Sequence, residues 1–171
     1  MSTIAVKEVQ TPRRGGGHRI PSSLTERPDS RVYLANLPNH SATAGLVGYT
    51  PQLQELISDA LPITWHLIDK QGLGGDRVVH LFYANPKESL QVNSERLLEL
   101  LEGLSMTDHI WVPVSTSHSM ILHAFRNILP ELKYLHLASV PMLYVGDNAN
   151  RRSLKAMADM CKMPFYFHAL Y

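Results

Sequence analysis

A single cysteine, Cys161, is all that this 171-residue chain contains, which excludes an intramolecular disulfide and a multi-cysteine zinc site. Net charge is nearly absent as well: 16 Lys+Arg stand against 15 Asp+Glu, a formal +1 with His neutral. Bulk charge therefore cannot drive coating of DNA or of a membrane surface. No apolar run approaches the roughly 20 residues needed to span a bilayer. Met1–Val9 lacks the continuous apolar stretch of a secretory leader, because Lys7 and Glu8 interrupt it. With the lone thiol, this points to a cytoplasmic protein that does not engage a membrane. Charged residues are scarce (18%) beside hydrophobic ones (44%), so most of the chain must bury a core.

What is present divides at about residue 30. Pro12, Pro21, Pro28, the Gly15-Gly16-Gly17 run and Arg13, Arg14, Arg19 and Arg27 crowd the start. Glycine raises the entropy cost of ordering and proline withholds backbone donors, so residues 1–30 read as a flexible arm. The arm reads as a solvated tail or, more sharply, as a contact for phosphates or an acidic partner through Arg13-Arg14-Gly15-Gly16-Gly17-His18-Arg19, and it is the one stretch through which nucleic acid is expected to bind.

From residue 31 to 171, short apolar runs alternate with helical patterns. Val32–Leu37 reads as a strand. Thr50-Pro51 opens a helix with Leu53, Leu56 and Ile57 on one face. Ile63–Ile68 and Arg77–Ala84 are rich in β-branched and aromatic residues, and the glycine-rich Asp69–Asp76 between them predicts an antiparallel hairpin. Asn85-Pro86-Lys87-Glu88 has the order of a capping box before a leucine-faced helix. Ile110–Val114 reads as a buried strand, with Pro113 marking a bulge or an end. Met120, Ile121, Ala124, Phe125 and Ile128 mark the next helix. Met142–Val145 is a strand, Asn148 or Asn150 caps a helix carrying Leu154, Met157 and Cys161, and Phe165–Leu170 is the last strand. The expected fold is a single α/β domain: a three-layer, Rossmann-like, mostly parallel sheet with one antiparallel hairpin.

In such sheets ligands bind beyond the strand carboxyl ends, where helix N-termini expose N–H groups and partial positive charge. Three polar loops qualify: the one after the first strand with His40, Ser41 and Thr43; Ser115-Thr116-Ser117-His118 after Val114; and Gly146-Asp147 through Arg151-Arg152 after Val145. Ser41, Thr43, Ser115, Thr116, Ser117, Asp147 and Arg151 are the expected ligand contacts. His40 and His118 are the expected acid–base groups, since imidazole changes protonation near neutral pH. Each residue alone also fits a plain cap, turn or solvated surface. Gly72-x-Gly74-Gly75 lacks the following helix that a dinucleotide fingerprint needs. His66 and His80 would face each other across the hairpin, but two imidazoles without a third ligand make no structural metal site.

Asp108-His109-Ile110-Trp111-Val112-Pro113-Val114-Ser115, followed by a helix, resembles the later core strand of ParA/MinD-type ATPases, and Val112–Ser115 resembles the start of universal stress proteins. At the position of the ATPases' phosphate loop this chain reads Leu37-Pro38-Asn39-His40-Ser41-Ala42-Thr43-Ala44-Gly45, without a lysine. The resemblance thus implies a fold, not ATP hydrolysis. Two functions are expected of such a chain. The first is binding of a nucleotide or other phosphorylated ligand, with phosphoester cleavage as its catalytic form. The second is a non-catalytic assembly or adaptor module acting on a protein partner or a second copy, with Met157, Met160, Met163 and Tyr171 as candidate surface.

Overall fold

The computed structural model describes residues 18–20, 25, 27, 31–36, 51–74 and 76–170. In chain order they form β1 (His18–Arg19), β2 (Val32–Ala35), α1 (Pro51–Gln71), β3 (Val79–Tyr83), α2 (Leu90–Leu104), β4 (Ile110–Val114), α3 (His118–Leu132), β5 (Met142–Gly146), α4 (Arg151–Met160) and β6 (Phe165–Ala169). The strands lie in one sheet in sequence order, with β2 to β6 all parallel and β1 antiparallel on the outer side of β2. Strand parity then sorts side chains between two cores. Phe82, Trp111, Met142 and Tyr144 face a layer made of α2, α3 and α4. Val79, Leu81, Ile110, Val112, Leu143 and Val145 face α1. The result is the expected three-layer, Rossmann-like α/β domain. No helix among the described residues is long and apolar enough to cross a membrane.

The predicted hairpin is overturned. Ile63–Ile68 is the second half of α1, and β3 pairs in parallel with β2 and β4. Leu53, Ile57, Ala60, Leu61, Thr64, Trp65 and Ile68 repeat every three or four residues, and all are buried. Burying the large apolar side chains of this stripe contributes roughly 1.5–3 kcal/mol each, against about 3 kcal/mol for a proline inside a helix. Pro62 is therefore tolerated, on the solvent side. The glycines that read as a hairpin turn end the helix instead. Gly72 takes φ +65° while Leu73 N–H donates to Ile68 O (3.0 Å) and Gly72 N–H to Asp69 O (3.3 Å). That is a Schellman stop.

Two further adjustments matter for the rim. The cap of α2 is Ser89, whose Oγ accepts Val92 N–H at 3.1 Å, and not Asn85. Asn85 instead accepts Lys87 N–H (3.0 Å) and is tied into a network described below. Within the stretch expected to be an arm, His18–Arg19 pairs with β2 and Ile20 is 3% exposed. Nearby, the Arg27 guanidinium sits 5.0 Å from the Trp65 ring and pairs with Asp69.

Candidate functional site

The helix after β2 lies on one face of the sheet and the helix after β3 on the other, so although the strand order never reverses the chain parts to opposite faces at these two strands, the geometry that opens a crevice at a switch point. Among the described residues, side-chain hydrogen bonds tie the two strand ends together here. Asn36, at φ +63°, donates from Nδ2 to Tyr83 O (2.9 Å) and to Asn93 Oδ1 (3.0 Å). Asn93 Oδ1 also accepts Asn85 N–H (2.8 Å), and Asn93 Nδ2 donates to Asn85 O and Ser89 O (both 2.9 Å). Asn93 is fully buried with both lone pairs and both amide protons engaged.

The junction between β4 and β5 is built differently. Ile110 N–H donates toward β3, to Val78 O (2.9 Å), and Trp111 N–H toward β5, to Pro141 O (3.0 Å). Alternation assigns the next donor toward β5 to residue 113, which is proline and has none. β3 and β4 share five registered pairs, whereas β4 and β5 share one, Trp111 with Met142. The ladder is weakest on the carboxyl side of this pair of strands. The sequence expectation of a strand end at Pro113 thus becomes a loosened junction inside an intact strand.

Beside that junction stands His118, the first residue of α3, with its Nδ1 3.0 Å from the hydroxyl of Tyr144 on β5. The same hydroxyl accepts Asp147 N–H (3.1 Å) and lies 3.4 Å from Asn150 Nδ2. Asp147 N–H takes one lone pair of the hydroxyl; a Tyr144 proton directed at His118 Nδ1 would place the neutral imidazole's proton on Nε2. Burial pushes the imidazole pKa below its ordinary 6.5, with the Asp147 carboxylate pulling the other way. The close approach requires glycine at position 146. A Cβ there would lie 2.6 Å from His118 Cε1 and 2.7 Å from Tyr144 Cζ. Gly146 serves the imidazole, where the sequence had offered it to a ligand.

The other candidates divide. Ser115 is buried, donating to Ala84 O and accepting Ser117 N–H (2.9 Å), so its hydroxyl ties β4 to the end of β3. Thr116 is exposed. Ser117 is the N-cap residue of α3 but makes no side-chain cap bond, and its Oγ lies 3.2 Å from Ser119 Oγ. Asp147 caps the short turn at Asn148–Asn150 by accepting Ala149 N–H (2.8 Å). Asn150, which leads into α4, makes no side-chain cap bond either. Arg151 is exposed, its guanidinium 5.2 Å from the Phe167 ring. His40, Ser41 and Thr43 lie outside the described residues. The loops after β4 and β5 therefore meet through His118, Tyr144 and Asp147. Sequence reasoning passed over Tyr144, Asn36 and Asn93, which read as ordinary strand, turn and helix residues; a lone phenol in the apolar run Met142–Val145 was the available sign.

His66 and His80 do not face each other, because residue 66 is helical. His66 meets His168 edge-on at 6.0 Å, while His80 stacks on Tyr33 and bonds His109 Nδ1 through Nε2 (3.0 Å) at the amino end of the sheet. Among the described residues no three His, Cys, Asp or Glu side chains cluster as metal ligands. Cys161 is buried against Ala158 O, and burial pushes its thiol pKa up. Met157 and Met163 are core; Met160 is exposed, and Tyr171 lies outside the described residues. Compared with protein-family models, curated proteins and solved structures, this chain matches none.

Proposed function

We propose that this chain binds a nucleotide or another phosphorylated ligand at the carboxyl rim, over the junction of β4 and β5. The observation that carries the reading is the start of α3 at Ser117, whose side chain makes no cap bond, beside the His118–Tyr144 pair; the helical run into α4 opens at Asp147, whose carboxylate already accepts Ala149 N–H. Helix N-termini attract anions through oriented N–H groups and the macrodipole. Arg151 adds a full positive charge at the same end, and His118 adds an imidazole beside it. Ser117 and Thr116 supply hydroxyls, and Asp147 orients the loop.

Hydrogen bonding to Tyr144 engages His118 Nδ1, so a general-base role falls to Nε2 and needs the tautomer in which that nitrogen carries no proton. Phosphoester hydrolysis with His118 or His40 as base is the catalytic form of this proposal. It requires His118 in that tautomer, or His40 to take the role.

A thermal-shift panel of nucleoside mono-, di- and triphosphates and inorganic pyrophosphate tests the reading. A ligand specific to the folded state adds about 2.7 kcal/mol at a hundredfold excess over its dissociation constant. Ser117→Glu places a carboxylate at the start of α3 and removes the shift by like-charge repulsion. A shift that survives in this variant contradicts the site, and no shift with any member of the panel contradicts the ligand class.

A further inference from the structure

We propose that β6 is a pairing edge through which two copies of this chain join antiparallel, making one continuous sheet across a two-fold axis at Phe167. This inference is independent of the ligand reading.

The two sides of the sheet are finished differently. Beyond β2 the chain supplies its own cover, β1. Beyond β6 no strand pairs among the described residues. Met142 N–H donates to Pro164 O (2.8 Å), Leu170 N–H donates to Gly146 O (2.9 Å), and the register runs from Met142 with Phe165 to Gly146 with Ala169. The donors turned inward are therefore those of Tyr166, His168 and Leu170. Phe165, Phe167 and Ala169 turn both N–H and C=O outward. The Ala169 carbonyl has His168 Nδ1 at 2.9 Å and keeps its second lone pair.

The strand Phe-Tyr-Phe-His-Ala carries none of the devices that usually protect an edge: no lysine, no internal proline, no acidic residue. Its aromatics are partly exposed. It is also complementary to itself. With the axis at Phe167, Phe165 opposes the partner copy's small Ala169, Phe167 opposes its own copy, and on the other face Tyr166 opposes His168. Large meets small at the ends and rings meet rings in the middle, the pairings that stabilise antiparallel strands.

A five-residue ladder alone buries less than a stable dimer needs, and the flanking layers extend it. α4 is the helix leading into β6 and contacts it, and α1 contacts β6 on the opposite face. The axis sets α4 against its own copy head to tail. The Arg151-Arg152 end then meets the carbonyl end that bears Asp159 and the 65%-exposed Met160. The dipole-negative carbonyl end of each helix then faces the arginines of the other; Asp159 there is already paired with Lys155 at 3.0 Å.

The test reads mass and amide exchange on the full chain. Sedimentation equilibrium from low micromolar to near-millimolar protein gives a monomer–dimer transition. At the dimeric end, hydrogen exchange slows at the amides of Phe165, Phe167 and Ala169 by at least tenfold relative to dilute protein, while Tyr166, His168 and Leu170 are protected at both concentrations. Ala169→Pro removes one outward donor and no inward one, so it weakens dimerisation at least tenfold with an unchanged melting temperature. Ala169→Lys does the same by setting a long charged side chain where Ala169 makes room for the partner copy's Phe165, and serves if the proline variant melts early. A monomer throughout the concentration range overturns the proposal. So does a dimer that forms equally in both variants, or one in which the alternation of exchange rates along β6 is missing.

Discussion

At the carboxyl rim the junction of β2 and β3 is held by three asparagines in a closed set of hydrogen bonds, whereas the junction of β4 and β5 lacks a ladder donor at Pro113 and carries an imidazole and a phenol. Topology alone favours the first as a ligand crevice, because the helices that follow β2 and β3 lie on opposite faces. The side chains favour the second. Among the described residues the first junction has its asparagines bonded to one another, whereas the second has a loosened ladder and a helix start without a side-chain cap, the features on which the proposed site rests.

The comparison breaks most sharply at Asn93. Asn93→Ala leaves Asn85 N–H and the Asn36 amide without their buried acceptor, at a cost of roughly 1–3 kcal/mol for each stranded group. Chemical denaturation should register a loss of several kcal/mol, while a nucleotide-induced thermal shift survives at temperatures where the variant is folded. Gly146→Ala is next. Its Cβ meets two rings at 2.6 and 2.7 Å, so overpacking costs about 1–3 kcal/mol and displaces His118; the ligand shift disappears with it. A variant that melts normally and still binds contradicts the proposed arrangement.

Tyr144→Phe removes the shared hydroxyl and should cost about 1–2 kcal/mol. It also frees His118 Nδ1 from its hydroxyl partner, which imidazole nitrogen chemical shifts report as a change in tautomer. The fourth effect is smaller and depends on pH. Burial lowers the His118 pKa in the folded chain, so the unfolded chain takes up the proton first. Stability is intact above the unfolded value near 6.5 and falls as pH drops through it toward the folded value. His118→Gln should flatten this fall in melting temperature between about pH 7 and pH 5. An unchanged slope would assign the pH dependence to other groups.

Much of this architecture was legible before coordinates. Val32–Ala35, Ile110–Val114, Met142–Gly146 and Phe165–Ala169 stand where apolar runs placed strands, and alternation with helices implied the parallel sheet. The failure at Ile63–Ile68 has a physical cause. Pro62 and a β-branched, aromatic run mimic a strand start, and only the long stripe from Leu53 to Ile68 reveals one helix with a tolerated proline. Composition locates polar loops after strands, and His118 and Asp147 from two of those loops do meet at Tyr144. It does not say which polar atoms are consumed by the fold. Ser115 looks like Ser117 in the sequence, yet its hydroxyl is bound between β3 and β4. Tyr144 looks like core, yet it orients the imidazole.

The most direct test of the account is an amide-resolved titration of the folded chain with inorganic pyrophosphate and with nucleoside di- and triphosphates. The account predicts saturable shifts confined to Ser117, His118, Asp147, Asn150 and Arg151. Shifts centred instead on Asn36, Asn85 and Asn93 would show that the junction of β2 and β3 binds after all, and saturating ligand that moves no rim amide would contradict the anion site altogether.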